Sequence, residues 1–324
     1  MTLVVACYNH ERFLERALET AFGQDHPNLR VIITDDASTD ESQRKIVELL
    51  EANDWEAELI FHDQNRGICA TFNQALARVE TPYVAFISAD DWQDPHRVST
   101  HVSVLECNPE ASMVYGPVNF VGEDDELLVG ISMDQYYAEA WSQWPGGQRD
   151  KFRDDVFMRL LTEGNWIPAP SVLSRTAQLR DAGLYDESLA LEDLDMWLRL
   201  AKISNFAFCE QTLVTYRLVR GSLSHVLTIE NNPRTKLRMY AKHLGHSAAS
   251  DEWLLPHLHV WAVQHYKDGG AVSDVARVLR QVARRRPSLK VFMFASVASL
   301  GIPWSRISVL VGRGSSPAGT DHGG

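Results

Sequence analysis

Residues 3–88 alternate two hydrophobic rhythms. Leu3-Val4-Val5-Ala6-Cys7 is a continuous apolar run, short enough for a strand buried on both faces. Phe13, Leu14, Ala17, Leu18 and Ala21 then recur at helical spacing, with acids near the start and Gly23 near the end. The same alternation predicts a strand over 29–34 and a helix through Ile46, Val47, Leu49 and Leu50. Ser38 or Thr39 is its expected cap, and Asp40 and Glu41 favour its positive end. A strand over 58–62, a helix over 68–79 with Gly67 at its entry, and a strand over 83–88 follow. Repeated β-α units imply a mostly parallel, doubly wound sheet with right-handed crossovers.

In such sheets ligands sit outside the carboxyl ends of the strands. The residues that follow the strands here are Tyr8-Asn9, Asp35-Asp36-Ala37-Ser38, Asn65-Arg66-Gly67 and Asp90-Asp91. Polar and acidic groups therefore collect on one sheet edge. The second half is less regular. Turn signals fill 122–150, and a helix over 152–161 leads into Gly164-Asn165-Trp166-Ile167-Pro168. A helix over 192–202 carries Leu194, Trp197, Leu198 and Ala201 on one face. From about residue 232 the chain reads as helical, and 313–324 is a Gly/Ser/Pro-rich tail expected to be disordered.

Composition narrows the classes. Of the 324 residues 45 % are apolar and 23 % charged, ordinary globular values that exclude a disordered or collagen-like chain. A net charge of −12 argues against nucleic acid as the main partner. The charge is uneven. From Ala271 onward the tail carries +6, which leaves −18 on the body. The four cysteines have no CxxC spacing, so no zinc site is expected, and reduced thiols in a cytoplasmic protein without a signal peptide fit the pattern. No apolar run is long enough to span a membrane; the stretch 291–302 reads as a buried or interfacial helix.

Each candidate group has two readings on its own. Asp90-Asp91 suits a hard divalent cation shared with substrate phosphates, or an acidic helix entry with Asp94 as cap, which is the commoner outcome for an isolated dipeptide. Asp35-Asp36 could accept from a ring N–H or a ribose hydroxyl, or cap the next helix. Asp193 could be a general base, or complement a helix dipole. Tyr8 could stack on a base or be a buried lid. His10, His26, His62 and His101 share no metal-ligand spacing and read as packed or surface residues. No GxSxG, Walker, GxGxxG or HExxH motif occurs.

The order is more specific than its parts. Val4-Val5-Ala6-Cys7-Tyr8-Asn9, Asp35-Asp36-Ala37-Ser38-Thr39-Asp40, Asn65-Arg66-Gly67, Ser88-Ala89-Asp90-Asp91, Gly183-Leu184-Tyr185-Asp186-Glu187 and 192–200 follow one another. Over about 2–225 the chain resembles the family 2 glycosyltransferases. That resemblance implies an α/β GT-A fold, a Rossmann-like mostly parallel sheet flanked by helices, with a C-terminal helical extension. It divides the chain into a nucleotide-sugar-binding half (1–121), an acceptor-binding half with the catalytic base (122–231), a C-terminal helical region (232–312) and the tail (313–324).

The resemblance also implies roles. Tyr8 would stack on the base and Asp36 hydrogen-bond it. Asp90 would lie near the ribose or sugar, and Asp91 would hold Mn²⁺ or Mg²⁺. Asp193 would be the catalytic base, with Trp166, Trp197 and Glu192 at the acceptor. Two departures stand out. Phe72-Asn73 replaces the family's Arg-Asn, leaving Arg66 to meet the phosphates. Val219 stands where a histidine usually follows Tyr-Arg, with Arg220 or His225 as substitutes.

The implied activity is an inverting, metal-dependent transfer from a nucleotide-diphosphate sugar, UDP-linked by resemblance, to a hydroxyl on a glycan or lipid-linked acceptor. The setting would be polysaccharide or glycoconjugate synthesis. A non-catalytic nucleotide-sugar-binding protein on the same fold is the alternative. A nucleotidyltransferase would want a Gly-rich basic loop where Tyr8-Asn9-His10-Glu11 stands. The basic and apolar stretch 277–302 reads either as a peripheral contact with the inner face of the cell membrane or as a helical cap with a solvated basic face.

Overall fold

The structure, a computed structural model, describes residues 1–128, 155–219 and 233–307. The chain divides into two compact units, Met1–Thr228 and Ile229–Gly324.

The first unit is built on a central sheet. β1 (Thr2–Cys7) is buried along its whole length, as a strand with parallel neighbours on both sides must be. It pairs in parallel with β2 (Arg30–Asp35) and with β4 (Tyr83–Ser88), and β2 pairs in parallel with β3 (Glu58–Phe61). The intervening helices are α1 (Leu14–Phe22), α2 (Ser42–Asn53) and α3 (Ile68–Arg78). α1 buries Leu14, Ala17, Leu18 and Ala21, the stripe expected from its spacing. Leu14, Leu18 and Ala21 pack with Leu3, Val5, Val31, Ile33, Ala85 and Ile87 into the main core.

The rest of the sheet departs from simple alternation. After β4 come a short β5 (Trp92–Gln93), α4 (Arg97–Cys107), β6 (Ala111–Tyr115) and β7 (Val118–Val121). Beyond the undescribed stretch lie α5 (Val156–Glu163), a 3₁₀ turn (Ala169–Ser171), β8 (Leu173–Arg175), α6 (Thr176–Asp181), α7 (Asp193–Leu200), β9 (Asn205–Phe208) and β10 (Val214–Arg217). The seven-stranded order is β3-β2-β1-β4-β8-β6-β9. β8 runs antiparallel between β4 and β6. A second, three-stranded sheet has the order β5-β10-β7. The expected mostly parallel sheet flanked by helices is present, with helices following it in the chain.

Two expected caps are absent. α2 begins at Ser42, and no side chain caps it. Ser38 and Thr39 instead bond the loop after β1: Ser38 Oγ accepts from Asn9 N at 2.8 Å, and Thr39 N donates to Asn9 Oδ1 at 2.7 Å. Asp94 does not cap α4 either; its carboxylate accepts from His96 N and its carbonyl from Arg97 N.

Among its described residues the second unit holds four helices: α8 (Pro233–Ala241), α9 (Ala248–Lys267), α10 (Val272–Arg285) and α11 (Leu289–Ser299). A Ser247–Ser250 capping box starts α9. α10 buries Val275, Val278, Leu279 and Val282 along one stripe. All four cysteines are free thiols. No described helix is long and apolar enough to cross a membrane.

Candidate functional site

Strand register creates the site. Cys7 pairs with Asp35, Asp35 with Phe61, and Ala6 with Ser88. Tyr8, Asp36, His62 and Ala89 therefore leave the sheet along one edge. The exits are tied together, since Asp36 N donates to Cys7 O, His62 N to Asp35 O and Ala89 N to Ala6 O. Asn9 (φ 58°) and Ala37 (φ 60°) adopt left-handed backbone at the two neighbouring exits. Asparagine tolerates that conformation; alanine does so only under constraint. The constraint is Asp35, fully buried, whose Oδ1 accepts from Ser38 N at 2.8 Å and Gln43 Nε2 at 2.7 Å.

Asp36 is the hub of the third exit. Its Oδ1 faces His62 Nδ1 at 2.7 Å and accepts from Arg66 N at 2.8 Å; its Oδ2 accepts from Gly67 N at 2.9 Å. A carboxylate has about four acceptor positions, so one, on Oδ2, is left for a ligand. His62 reaches Gln74 Oε1 through Nε2, and Arg66, with an exposed side chain, bonds the same oxygen. Gly67 turns into α3 at φ 82°, a conformation a side chain would strain. Tyr8 is 41 % exposed, so its ring is open to stacking.

Asp90 and Asp91 end β4 under a tight turn, with Asp91 N donating to Ser88 O. They are 6 % and 1 % exposed. Asp91 Oδ1 accepts from Arg217 N at 2.9 Å, while Asp91 Oδ2 and Asp90 Oδ1 are buried with no hydrogen-bond partner. Burial, and then the adjacent Asp90 charge, push the Asp91 carboxyl well above the usual carboxylate range. Two orphaned carboxylate oxygens are what a divalent cation would satisfy, and such a charge reverses the pKa logic. Among the described residues no group of three or more His, Cys, Asp or Glu is placed to enclose a metal. The pair therefore suits an ion completed by substrate phosphates and water. His10 Nε2 lies 3.8 Å from Asp90 Oδ2.

Arg217 braces this corner. It is buried, with Nε donating to Asp90 O at 3.0 Å and Nη1 to Gly122 O and Glu123 O at 3.0 and 3.1 Å. Nη2 pairs with Asp125. Its guanidinium also lies over the rings of Phe13 and Trp92. Arg217 is the arginine of the Tyr-Arg pair before Val219, and no local signal marks its role, which depends on contacts 126 residues away. Val219 is partly buried, and Arg220 and His225 lie outside the described residues.

The second carboxylate pair opens α7. Asp193 Oδ1 accepts from Leu194 N, and its Oδ2 from Asn165 Nδ2. Burial raises the Asp193 carboxyl, and burial with the Asp193 charge raises Glu192 to about 8. Asn165, half of an unremarkable Gly-Asn turn in the sequence, is thus the orienting partner. Asn73 connects α3 to the approach of this pair: Nδ2 donates to Tyr185 O and Glu187 Oε1, and Oδ1 accepts from Tyr185 N. Phe72 packs on Phe86 and Tyr185. Trp166 is partly exposed, between Tyr115 and Arg159. Trp197 is buried, at 4 % exposure.

The family model described as glycosyl transferase family 2 matches residues 2–164. The chain belongs to that family. The matched span of this family 2 member holds β1–β4 and every carboxylate of the strand-end cluster. An uncharacterized glycosyltransferase of Rickettsia typhi is 22 % identical over 222 residues, 67 % of this chain and 64 % of that protein. An uncharacterized Mycobacterium tuberculosis protein is 28 % identical over 291 residues, 88 % of this chain and 75 % of that one.

Solved structures share the fold. Staphylococcus aureus TarS in complex with UDP-GlcNAc superposes with a TM-score of 0.60 at 16 % identity, over 88 % of this chain and 82 % of that one. The Pyrobaculum calidifontis mannosyltransferase PcManGT, with GDP-Man and Mn²⁺, gives 0.54 at 15 % identity, over 92 % and 83 %.

Proposed function

We propose that this family 2 member is an inverting glycosyltransferase. It takes a sugar from a nucleotide-diphosphate donor, UDP-linked by preference, and places it on a hydroxyl acceptor in glycan or glycoconjugate assembly. The observation that carries the reading is Asp193. A ligand-binding protein has no need of a carboxylate oriented by Asn165, at the start of a helix, with its proton affinity raised by burial. Neighbours bound to UDP-GlcNAc and GDP-Man support a donor of this class.

Asp193 accepts the acceptor hydroxyl's proton as its oxygen attacks the anomeric carbon, while the bond from that carbon to the diphosphate oxygen breaks. Inversion follows from a single in-line displacement, and no protein nucleophile is required. Tyr8 and the remaining acceptor position of Asp36 hold the base. Arg66 meets the phosphates, and Glu192, Trp166 and Trp197 border the acceptor. Asp91 Oδ2 and Asp90 Oδ1 are the atoms that would hold Mn²⁺ or Mg²⁺, which when bound neutralises charge on the departing diphosphate.

Asp193→Asn tests this. Donor binding, read by thermal shift with UDP-GlcNAc or GDP-Man and Mn²⁺, is expected to survive, while turnover falls by about 10²–10⁴. Turnover that persists in the variant would overturn the assignment of the base.

A further inference from the structure

The helix α11 is mostly apolar, with Lys290, Ser296 and Ser299 its only polar residues, and so apolar a helix is normally enclosed. Here only Val291, Ala295 and Ala298 are buried. Leu289, Phe292, Met293 and Leu300 are 79, 64, 58 and 73 % exposed, in a row at helical spacing. A shallow apolar groove lined by Ala283, Pro287, Ser288, Leu289 and Phe292 continues this face.

The border of the face is basic. Between Val275 and Thr320 the sequence has eight bases and no acid, in a chain of net charge −12. α10 turns its apolar stripe inward and leaves Arg277, Arg280 and Arg284 on the open side. Arg280 Nη1 donates to Ser299 Oγ at 2.7 Å, which fixes that basic row alongside α11. Arg277 is paired with Asp274, and Arg285 lies 3.7 Å from Asp251. Arg284, Arg286, Lys290 and Arg306 are exposed and have no acidic partner among the described residues.

We infer that this face is a docking surface for an anionic lipid bilayer, with α11 lying in the interface plane. The charge pattern selects this occupant. A second copy paired through this same face could cover the apolar side chains, but it would crowd Arg284, Arg286 and Lys290 against their own counterparts. Anionic headgroups satisfy the basic border while acyl chains take Phe292 and Met293. At about 16 Å, from 1.5 Å per residue, α11 is too short to span, so contact is one-sided. The inference does not depend on the transferase reading, since none of these residues belongs to the strand-end site.

The test is co-sedimentation of the full chain with vesicles of phosphatidylcholine alone or mixed with phosphatidylglycerol. Wild type is expected on the mixed vesicles only, and to be released by salt. Arg284→Gln with Arg286→Gln and Lys290→Gln should weaken partitioning about one hundredfold, at roughly fivefold per basic side chain. Phe292→Glu with Met293→Glu should weaken it more than tenfold. Both variants alter exposed side chains, so unchanged circular dichroism and donor-induced thermal shift show that the fold is intact. Three results would overturn the inference: no binding by wild type, full binding by the Phe292/Met293 variant, or self-association in vesicle-free buffer that this variant abolishes.

Discussion

Replacing Arg217 by alanine should be among the most damaging single changes to the first unit. The side chain is 3 % exposed and donates to the carbonyls of Asp90, Gly122 and Glu123. Alanine leaves three acceptors without their donor, at about 1–3 kcal/mol for each buried group left unsatisfied. Asp125 is half-exposed and rehydrates, so its pair adds little. Some carbonyls will recover water through the vacated volume, which brings the expected loss to about 3–5 kcal/mol, the range for breaking a buried ionic network. In a unit of this size about 2–4 °C of melting temperature accompanies each kcal/mol, so scanning calorimetry should show a drop of at least ~6 °C. Arg217→Lys keeps the charge but not the fork of donors and should recover less than half of the loss. Donor binding should weaken in parallel, because Arg217 joins the β4 end to the 122–125 turn. A drop below about 2 °C, less than 1 kcal/mol on the same scale, would refute the view of Arg217 as the brace of this corner.

Glu192→Gln should change how stability depends on pH. The folded carboxyl is raised to about 8, so its favourable contribution is complete below the unfolded value and is lost as pH rises toward 8. Variant and wild type should melt together near pH 4, with the variant gaining steadily up to about pH 8; parallel curves would contradict the burial argument. Asp91→Asn should remove the Mn²⁺ dependence of UDP binding measured by calorimetry, and an unchanged dependence would place the ion elsewhere. Asn73→Ala should destabilise the unit by about 1–3 kcal/mol, since it strips both backbone groups of Tyr185 of their side-chain partner; a urea midpoint equal to wild type would argue against that tether.

The parallel half of the fold was readable because its signal is contiguous. Each strand is a short run such as Val4-Val5 or Ile32-Ile33, and each helix a local stripe. What failed were choices between partners. Ser38 and Thr39 have the chemistry of helix caps, yet Asn9 competes for them across the β1–β2 boundary and wins. Asp94 caps nothing, because its carboxylate turns back to His96 N. The acidic residues at the strand ends were found by position alone. That Asp36 is largely occupied by His62, Arg66 and Gly67, whereas Asp90 and Asp91 each keep an orphaned oxygen, could not be seen without the fold.

The sequence by itself determined the β-α rhythm, the family and the edge on which the carboxylates gather, since periodicity and motif spacing are properties of neighbouring residues. The tertiary structure decided the antiparallel insertion of β8, the bracing of Asp90 and Asp91 by Arg217, and the raised proton affinity of Glu192 and Asp193. It also decided that a mostly apolar helix, α11, would lie with one face uncovered. Burial, field and hydrogen-bond competition are sums over segments distant in the chain, and only their assembly fixes the totals.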